Sequence, residues 1–267
     1  MSTDLAALLR LAELGEGEYE NVPLAPGHLY GGWSQALALR AAAATVDPHL
    51  PFRASASVFP SAGDAGMPLR IRVQPVRDGR SSAIRQVTVT QHGEVRLLVT
   101  ASFQAEVAGG EWQAPATALP AGPEQLSTDT SQLVGMDPVE FRPVGNARFD
   151  AGAPVMTPPH PFWARPRTTP PDGPGAAAAV LAFVSDYMVV AVSQQPESLL
   201  APGAMTASLD HALWLHRPFD PAAWLLYDAA PLSIAAGRGL VRGTVRDTGG
   251  ALVASFTQET ITLPPRP

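Results

Sequence analysis

A hydroxyl, a carboxylate and an imidazole stand close together in the stretch TASLDHALWLHRPF. They belong to Ser208, Asp210 and His211. The same three groups form the nucleophile, orienting acid and base of many hydrolases, in which the imidazole contacts both of the other groups. The stretch therefore raises the question of whether it is a compact catalytic triad.

Alternation along this stretch argues against a local triad. In a regular strand, side chains two positions apart share a face and adjacent side chains point to opposite faces. We therefore expect Ser208 and Asp210 to point one way and His211 the other, with Asp210 and His211 supporting the fold. The chain also lacks the G-x-S-x-G pattern of a nucleophile elbow, which argues against an α/β-hydrolase.

Composition excludes several classes of chemistry. The 267 residues include no cysteine, which excludes disulfides, thiolate nucleophiles and cysteine-ligated metals. There is also no lysine, so a lysine Schiff base and a P-loop lysine are excluded. The scattered histidines have no metal-binding spacing, and neither a metal nor a cofactor is expected. The formal net charge of −6 argues against a nucleic-acid partner.

Hydropathy is typical of an ordinary globular protein. Hydrophobic residues make up 46% of the chain, and the mean hydropathy is +0.05. No apolar run approaches the roughly 18 residues that a membrane span requires, and the first residues lack the basic start of a signal peptide. We therefore expect no membrane partner and a cytoplasmic location.

The chain contains the same order of elements twice. An Ala-rich run precedes a series of alternating stretches in each half, at residues 31–46 and again at 175–192. Alternation such as LRIRVQPV predicts antiparallel strands with one wet face, and RDG, QHGE and DTGG predict hairpin turns. One helix against an antiparallel sheet, twice, is an α+β fold. We expect units at 1–106 and 134–267, joined by a Gly- and Pro-rich linker at 107–133.

Motifs in both halves resemble one known family. The first half contains GGWSQALALRAA, PLRIRVQPVRDGRS and VTASFQAE; the second contains FVSDYMVVAV, ASLDHALWLHRPF, GRGLVRG and GALVASFTQE. In this order they resemble the acyl-CoA thioesterase II family, the TesB-like double hotdog proteins. The resemblance implies two hotdog units in one chain, each a long helix wrapped by an antiparallel sheet. It also implies hydrolysis of acyl-CoA to free acid and CoA by a homo-oligomer, a dimer or a higher form.

The resemblance assigns three catalytic side chains. They are Asp186 in the SDY motif, Ser208 two residues before the DH pair, where the family has Thr, and Gln258 in the last QE pair. A thioester is already activated towards water, so the protein needs to position a water, remove its proton and stabilise the oxyanion. We expect Asp186 to be the general base, and Ser208 and Gln258 to orient the water.

The GGW motif corresponds to the family's GGQ. The backbone amides of Gly31 and Gly32, at the start of the first helix, are expected to bind the oxyanion, because first-turn amides are unpaired and lie at the positive end of the helix dipole. Trp33 replaces the family's Gln and is expected to shape the passage for the acyl or pantetheine group. The candidates for binding the CoA phosphates are Arg77, Arg80 and Arg238.

Two other functions remain open at this stage. A hotdog hydratase, dehydratase or biosynthetic enzyme acting on CoA or carrier-protein thioesters would place His28 or His211 against Asp186. A non-catalytic acyl-CoA-binding protein would keep the fold without turnover. We expect the acyl chain length to depend on pocket depth, which is set by how the large side chains pack, namely Trp33, Phe59, Trp163 and Met188.

Overall fold

A computed structural model describes residues 4–115, 119–126, 138–144, 161–187, 189–193 and 205–263. Its helices are α1 (Leu5–Leu8), α2 (Gly31–Ala44), α3 (Ala176–Ser185) and α4 (Val189–Val192), with a 3₁₀ turn at Pro123–Gln125. Its strands are β1 (Leu11–Gly15), β2 (Glu18–Asn21), β3 (Phe52–Val58), β4 (Arg70–Asp78), β5 (Ser82–Gln91), β6 (Glu94–Gln104), β7 (Val139–Pro143), β8 (Phe162–Pro166), β9 (Met205–Ser208), β10 (Asp210–Leu215), β11 (Leu225–Ala235), β12 (Arg238–Arg246) and β13 (Leu252–Leu263).

In the described part of the chain the strands form one antiparallel sheet. Its order is β1-β2-β4-β5-β6-β3-β10-β13-β12-β11-β8-β7, with β9 also paired to β13. Strands of the first half lie on one side and those of the second half on the other. The two sets join through β3 and β10, where Ala56 lies opposite Ala212. The predicted repeat of a helix followed by antiparallel strands is therefore present in both halves.

The repeat extends to the register of the strands. Arg85 of β5 lies opposite Ala101 of β6, and Val241 of β12 lies opposite Gln258 of β13. Arg85 and Val241 each also lie opposite a proline on the preceding strand, and in both halves the register shifts just after that proline. Arg85 and Val241 are thus equivalent positions, as are Ala101 and Gln258.

Helices α2 and α3 pack against each other in antiparallel directions. Both consist largely of Ala and Leu or Val and are buried on nearly all sides, which suits a helix between a sheet and a second helix. A Cβ atom on Gly32 would lie 2.9 Å from the Phe183 carbonyl oxygen, and one on Gly175 would lie 2.8 Å from the Cβ of Ala43. The N-terminus of α2 therefore meets the C-terminus of α3.

The second Ala-rich run does not form one continuous helix. Helix α3 ends at Ser185, and Asp186 is its C-cap, before α4 begins at Val189. Asp is a poor helix former, and its carboxylate is unfavourable at the negative end of a helix dipole unless other donors bind it. No helix in the described residues is long and apolar enough to cross a membrane.

A β-bulge changes the faces of the strand that carries Ser208. Ser208 pairs with Thr260, whereas Ala212 pairs with Thr257, so the β9–β10 segment has one residue more than β13 between these pairs. An extra residue reverses which side chains share a face. Ser208 and His211 consequently both point toward the helices. The prediction that His211 faces away from Ser208 is wrong for this reason.

Asp210 completes the hydrogen bonding at the bulge. Its carboxylate accepts a hydrogen bond of 2.9 Å from the Glu259 amide, and the Leu209 amide donates to the Glu259 carbonyl at 2.8 Å. A side-chain oxygen thus takes the place of a ladder carbonyl where the backbone is out of register. Asp210 supports the fold, as expected from the sequence, but it does so at a β-bulge and not within a regular strand.

Candidate active site

The carboxylate of Asp186 is the centre of a buried polar cluster between the two helices and β13. Oδ2 accepts a hydrogen bond of 2.7 Å from the Gly32 amide, and Oδ1 accepts one of 2.7 Å from Nε2 of Gln258. Only 6% of the residue is exposed. The first turn of α2 thus supplies an unpaired amide and its positive dipole end to the carboxylate.

Ser208 and Gln258 extend the cluster. Nε2 of Gln258 also donates to the Ser208 hydroxyl at 2.6 Å, while that hydroxyl lies 3.4 Å from Oδ1 of Asp186, which is long for an O–H···O bond. The amide orientation of Gln258 follows from its neighbour, because a carboxylate accepts hydrogen bonds and cannot donate them. The structure therefore brings together the three side chains that the motifs predicted.

Two hydrogen-bonding groups in this cluster remain available. Within the described residues, Oε1 of Gln258 is buried without a hydrogen-bond partner. The Ser208 hydroxyl receives a strong hydrogen bond, but its own proton has only the long contact to Asp186. A buried acceptor and a weakly bonded hydroxyl proton beside a carboxylate can hold a water molecule.

Burial raises the pKa of Asp186 to about 6, although the hydrogen bonds from Gln258, Gly32 and Ser208 lower it in part. In the described part of the chain no Arg or His forms an ion pair with it. Burial likewise raises the pKa of Tyr30. Tyr30 therefore stays neutral and adds no charge beside Asp186. Asp186 is therefore a carboxylate that titrates close to neutral pH, as a general base should.

The two glycines at the start of α2 differ in what their amides do. The Gly32 amide is bonded to Asp186, and this bond replaces its predicted role as an oxyanion donor. The Gly31 amide has no hydrogen-bond partner among the described residues. A Cβ atom on Gly31 would lie 2.9 Å from Oδ2 of Asp186 and 3.1 Å from Cε1 of Phe59. A side chain at this position would press on both the carboxylate and the ring, so their close approach to the start of α2 requires a glycine.

Trp33 anchors the N-terminal helix. Its indole N–H donates to the carbonyl of Leu8, the last residue of α1, at 2.8 Å, and only 2% of the residue is exposed. Its polar atom is thus held within the first half rather than offered to a ligand. Of the other large residues considered for the pocket, Trp163 packs in a separate cluster with Trp224 and Leu226, and Met188 lies outside the described residues.

The three candidate arginines are not brought together. Arg77 and Arg80 lie in the β4–β5 hairpin, and the Arg77 carbonyl accepts a hydrogen bond from Arg85, which also binds Thr45 at the C-terminal end of α2. That end lies about 20 Å from the Asp186 end at 1.5 Å per helical residue. Arg238 starts β12, three positions before Val241, the partner of Gln258. Of the three candidate CoA-binding arginines, Arg238 is therefore the one that lies toward the Asp186 end of the helix pair.

Neither histidine faces Asp186 in the way a hydratase or dehydratase requires. His28 is exposed and forms a β-bridge with Asp64. His211 is fully buried, and its two nitrogens contact Gln35 and Ser185, at 3.2 and 3.1 Å. The described residues contain no cluster of His, Asp and Glu suited to a metal ion.

Sequence reasoning missed two residues of this region, Gln35 and Ser185. Both are fully or almost fully buried, at 0% and 1% exposure. The available signal was a polar residue inside an apolar helical run, because such a residue is unfavourable when buried without a partner. The motif GGWSQALALR contains Gln35 in such a position, and VLAFVSDY contains Ser185.

Two family models match the chain. The model described as the acyl-CoA thioesterase N-terminal domain matches residues 22–104. The model described as the acyl-CoA thioesterase C-terminal domain matches residues 113–262. The matches cover both halves of the repeat, in the order that the motifs predicted.

Similar proteins are found among curated sequences and solved structures. The acyl-CoA thioesterase 2 of Haemophilus influenzae is 27% identical over 275 residues, which cover 96% of each chain. A solved acyl-CoA thioesterase II of Mycobacterium marinum is 31% identical, covers 98% of both chains and has a TM-score of 0.81. A hotdog-fold protein of Alicyclobacillus acidocaldarius, 20% identical with a TM-score of 0.74, shares the fold. The TesB-like resemblance and the double hotdog α+β fold are confirmed.

The role of Trp33 as an anchor can be measured through stability. Trp33→Phe removes the indole N–H and leaves the buried Leu8 carbonyl without its donor, so the free energy of unfolding in urea should fall by about 1–3 kcal/mol. Trp112→Phe is the matched control, because that indole belongs to a residue 83% exposed. Equal stabilities of the Trp33 variant and the wild type would contradict the anchoring role.

Proposed function

The chain belongs to the acyl-CoA thioesterase family, and we propose that it hydrolyses acyl-CoA thioesters by attack of a water that Asp186 deprotonates. The observation that carries the proposal is the buried cluster of Asp186, Ser208 and Gln258, in which a carboxylate of raised pKa adjoins an unpaired amide oxygen and a weakly bonded hydroxyl proton. The Ser208 hydroxyl would donate a hydrogen bond to the water oxygen. Oε1 of Gln258 would accept a hydrogen bond from the water.

The proposed reaction needs no covalent intermediate. The water oxygen attacks the thioester carbonyl carbon while Asp186 takes the water proton, which gives a tetrahedral intermediate with a negatively charged oxygen. Collapse of this intermediate breaks the carbon–sulfur bond, and the CoA thiolate leaves. The proton held by Asp186 then passes to the thiolate, so that one acyl-CoA and one water yield a carboxylic acid and CoA. Ser208 orients the water and does not attack, because in the described residues no imidazole is bonded to its hydroxyl and its contact with the Asp186 carboxylate is long, at 3.4 Å.

The Gly31 amide is our candidate for the oxyanion donor. It lies at the positive end of α2 and has no hydrogen-bond partner among the described residues. Gly31 lies against both Asp186 and Phe59. A thioester whose carbonyl oxygen accepts a hydrogen bond from this amide would have its carbonyl carbon near the water that Asp186 activates. For the CoA phosphates we retain Arg238, which is more than half exposed and has a long 3.8 Å contact with Glu259.

Replacing the carboxylate tests the general base. Asp186→Asn should lower the rate of CoA release by about 10²–10⁴-fold, because an amide cannot take a proton from water at neutral pH. The measurement is thiol release from acetyl-CoA, hexanoyl-CoA and palmitoyl-CoA, followed with a thiol-reactive chromophore. Asp210→Asn is the matched control and should stay active, since an Asn oxygen can still accept from the Glu259 amide. Equal rates for Asp186→Asn and wild type would remove Asp186 from the mechanism.

The stability of the same variant separates loss of chemistry from loss of fold. An Asn oxygen can accept from Gly32, and Gln258 can turn its amide so that the unpaired Oε1 faces the new amide protons. The folded-state pKa of Asp186 lies above its unfolded value, so its contribution to stability is present below pH 4 and lost as pH rises through about 6. At pH 8, the free energy of unfolding of Asp186→Asn should therefore equal that of wild type or exceed it by up to about 3 kcal/mol.

The raised pKa also predicts the pH dependence of the reaction. Because the base works only when deprotonated, kcat should rise with pH and reach half its maximum near pH 6. A steady-state profile between pH 4.5 and 8.5 would measure this midpoint, with thiol formation read at one fixed pH after quenching. A midpoint below about 4.5, the range of an ordinary carboxyl group, would show that the buried carboxylate is not the group that titrates.

We also propose that the protein forms a homo-oligomer and lies in the cytoplasm. The outer face of the sheet near the β3–β10 seam carries apolar side chains that are well exposed, namely Val58 (52%), Leu98 (37%) and Trp214 (41%). Val58 lies opposite Leu98, and Trp214 lies opposite Ala54, four positions along β3 from Val58. Exposed apolar residues that share a sheet face favour burial against another protein surface. Light scattering coupled to gel filtration should give a mass at least twice 28.0 kDa. A monomer mass at micromolar concentration would contradict the oligomer.

A further inference from the structure

His211 lies at the meeting point of both helices and the central strands. Its Nδ1 is 3.2 Å from Nε2 of Gln35 in α2, and its Nε2 is 3.1 Å from the hydroxyl of Ser185 at the end of α3. The Gln35 amide also donates to Ser57 of β3 at 2.9 Å. The ring is stacked on Phe256 of β13, with centroids 5.8 Å apart and planes 9° from parallel. The position of the ring is therefore fixed by three residues, one each from α2, α3 and β13.

The partners of His211 are neighbours of the groups that hold the carboxylate. Ser185 directly precedes Asp186, and Gln35 lies one helical turn after Gly32, whose amide binds Oδ2. The imidazole consequently spans the two helices at the level where the Gly32 amide and Asp186 must meet at 2.7 Å. A hydrogen bond between two rigid elements is sensitive to small shifts, and a displacement of 1 Å near a reacting group can lower a rate about 10²-fold.

The imidazole of His211 is neutral, which lets one of its nitrogens accept a hydrogen bond while the other donates one. Burial lowers the pKa of His211 to about 4, so the imidazole is neutral wherever Asp186 is ionised. In the neutral ring one nitrogen donates and the other accepts. With the Gln35 amide donating to Nδ1, the proton lies on Nε2 and is donated to Ser185. Neither nitrogen remains available for proton transfer with substrate.

We propose that His211 is a positioning residue, which through Ser185 holds the C-terminal turn of α3 so that the Asp186 carboxylate stays bonded to the Gly32 amide. The inference rests on the proposed function, because the carboxylate that His211 would position is the proposed general base. It does not make His211 a catalytic residue, since none of its hydrogen bonds reaches Asp186, Ser208 or Gln258.

Two conservative substitutions separate the two hydrogen bonds of the ring. An Asn side chain places a polar atom where Nδ1 lies, so His211→Asn keeps the contact with Gln35 and loses the one with Ser185. A Gln side chain reaches the position of Nε2, so His211→Gln keeps the contact with Ser185 and loses the one with Gln35. Ser185→Ala removes the other partner of the proposed link. His216→Gln is the control, because His216 also bonds a serine, Ser255 at 2.8 Å, but is exposed.

The proposal predicts a specific order of effects. His211→Asn and Ser185→Ala should each lower kcat about tenfold or more with little change in KM, whereas His211→Gln should stay within about threefold of wild type. The double variant His211→Asn/Ser185→Ala should be no worse than either single variant, because both remove one link. The control His216→Gln should match wild type.

A second measurement needs no turnover. The titration of Asp186, read from its carboxyl ¹³C resonance by NMR, should move to a higher midpoint in His211→Asn and Ser185→Ala, because the Gly32 hydrogen bond that lowers its pKa is loosened. His211→Gln and His216→Gln should keep the wild-type midpoint. Of the titratable neighbours, Tyr30, Tyr187 and Tyr227 all have a pKa raised by burial and stay neutral throughout.

The outcomes distinguish this proposal from the proposed function. Unchanged kcat and Asp186 titration in His211→Asn, with only a lower melting temperature, would make His211 a packing residue and overturn the positioning role. Equal losses in the Asn and Gln variants, or a larger loss in the Gln variant, would also overturn it. A wild-type rate in Asp186→Asn would instead overturn the hydrolytic mechanism, while the NMR titration would still decide the role of His211.

Discussion

The hydrogen bond between the Gly32 amide and the Asp186 carboxylate is the contact on which the other features depend. A carboxylate buried at the negative end of α3 is unfavourable, and it is tolerated because the positive end of α2 and the Gln258 amide face it. This requires the helix backbones to approach so closely that Gly32 has no room for a Cβ atom beside Phe183. Small residues along both helices permit that approach. The resulting balance of burial and hydrogen bonding leaves a carboxyl group with a pKa near neutral pH.

In the described residues the repeat gives one carboxylate cluster, at the Gly32 end of α2. The side chains at the opposite end of the α2–α3 pair explain why. There the position equivalent to Val241 is Arg85, and the position equivalent to Gln258 is Ala101. The Arg85 guanidinium binds the carbonyl and hydroxyl of Thr45, the C-cap of α2, and forms an ion pair with Asp78. A cation thus satisfies the negative end of that helix. The two halves share backbone architecture, while the side chains at equivalent positions place a cation at one end and the proposed general base at the other.

The β-bulge between β9 and β10 arranges two layers of the site. By adding one residue, it directs both Ser208 and His211 toward the helices. Ser208 then contacts the carboxylate and the Gln258 amide, and His211 contacts the residues behind them. Asp210, at the bulge itself, satisfies the amide that the irregular backbone leaves unpaired. A single irregularity therefore directs toward the helices both the hydroxyl proposed to orient the water and the ring proposed to position the end of α3.

The sequence by itself determined the α+β repeat, since alternation and Ala-rich runs are local patterns that reflect which face of an element is buried. Its motifs also selected Asp186, Ser208 and Gln258, which the folded chain brings together. The tertiary structure alone decided that the Gly32 amide binds the carboxylate, that His211 shares a face with Ser208, and that the indole of Trp33 binds a backbone carbonyl. These outcomes depend on register and helix approach between segments as far apart as 154 residues. Local periodicity carries no information on such distances, because they are set by how small residues and one bulge let separate elements pack.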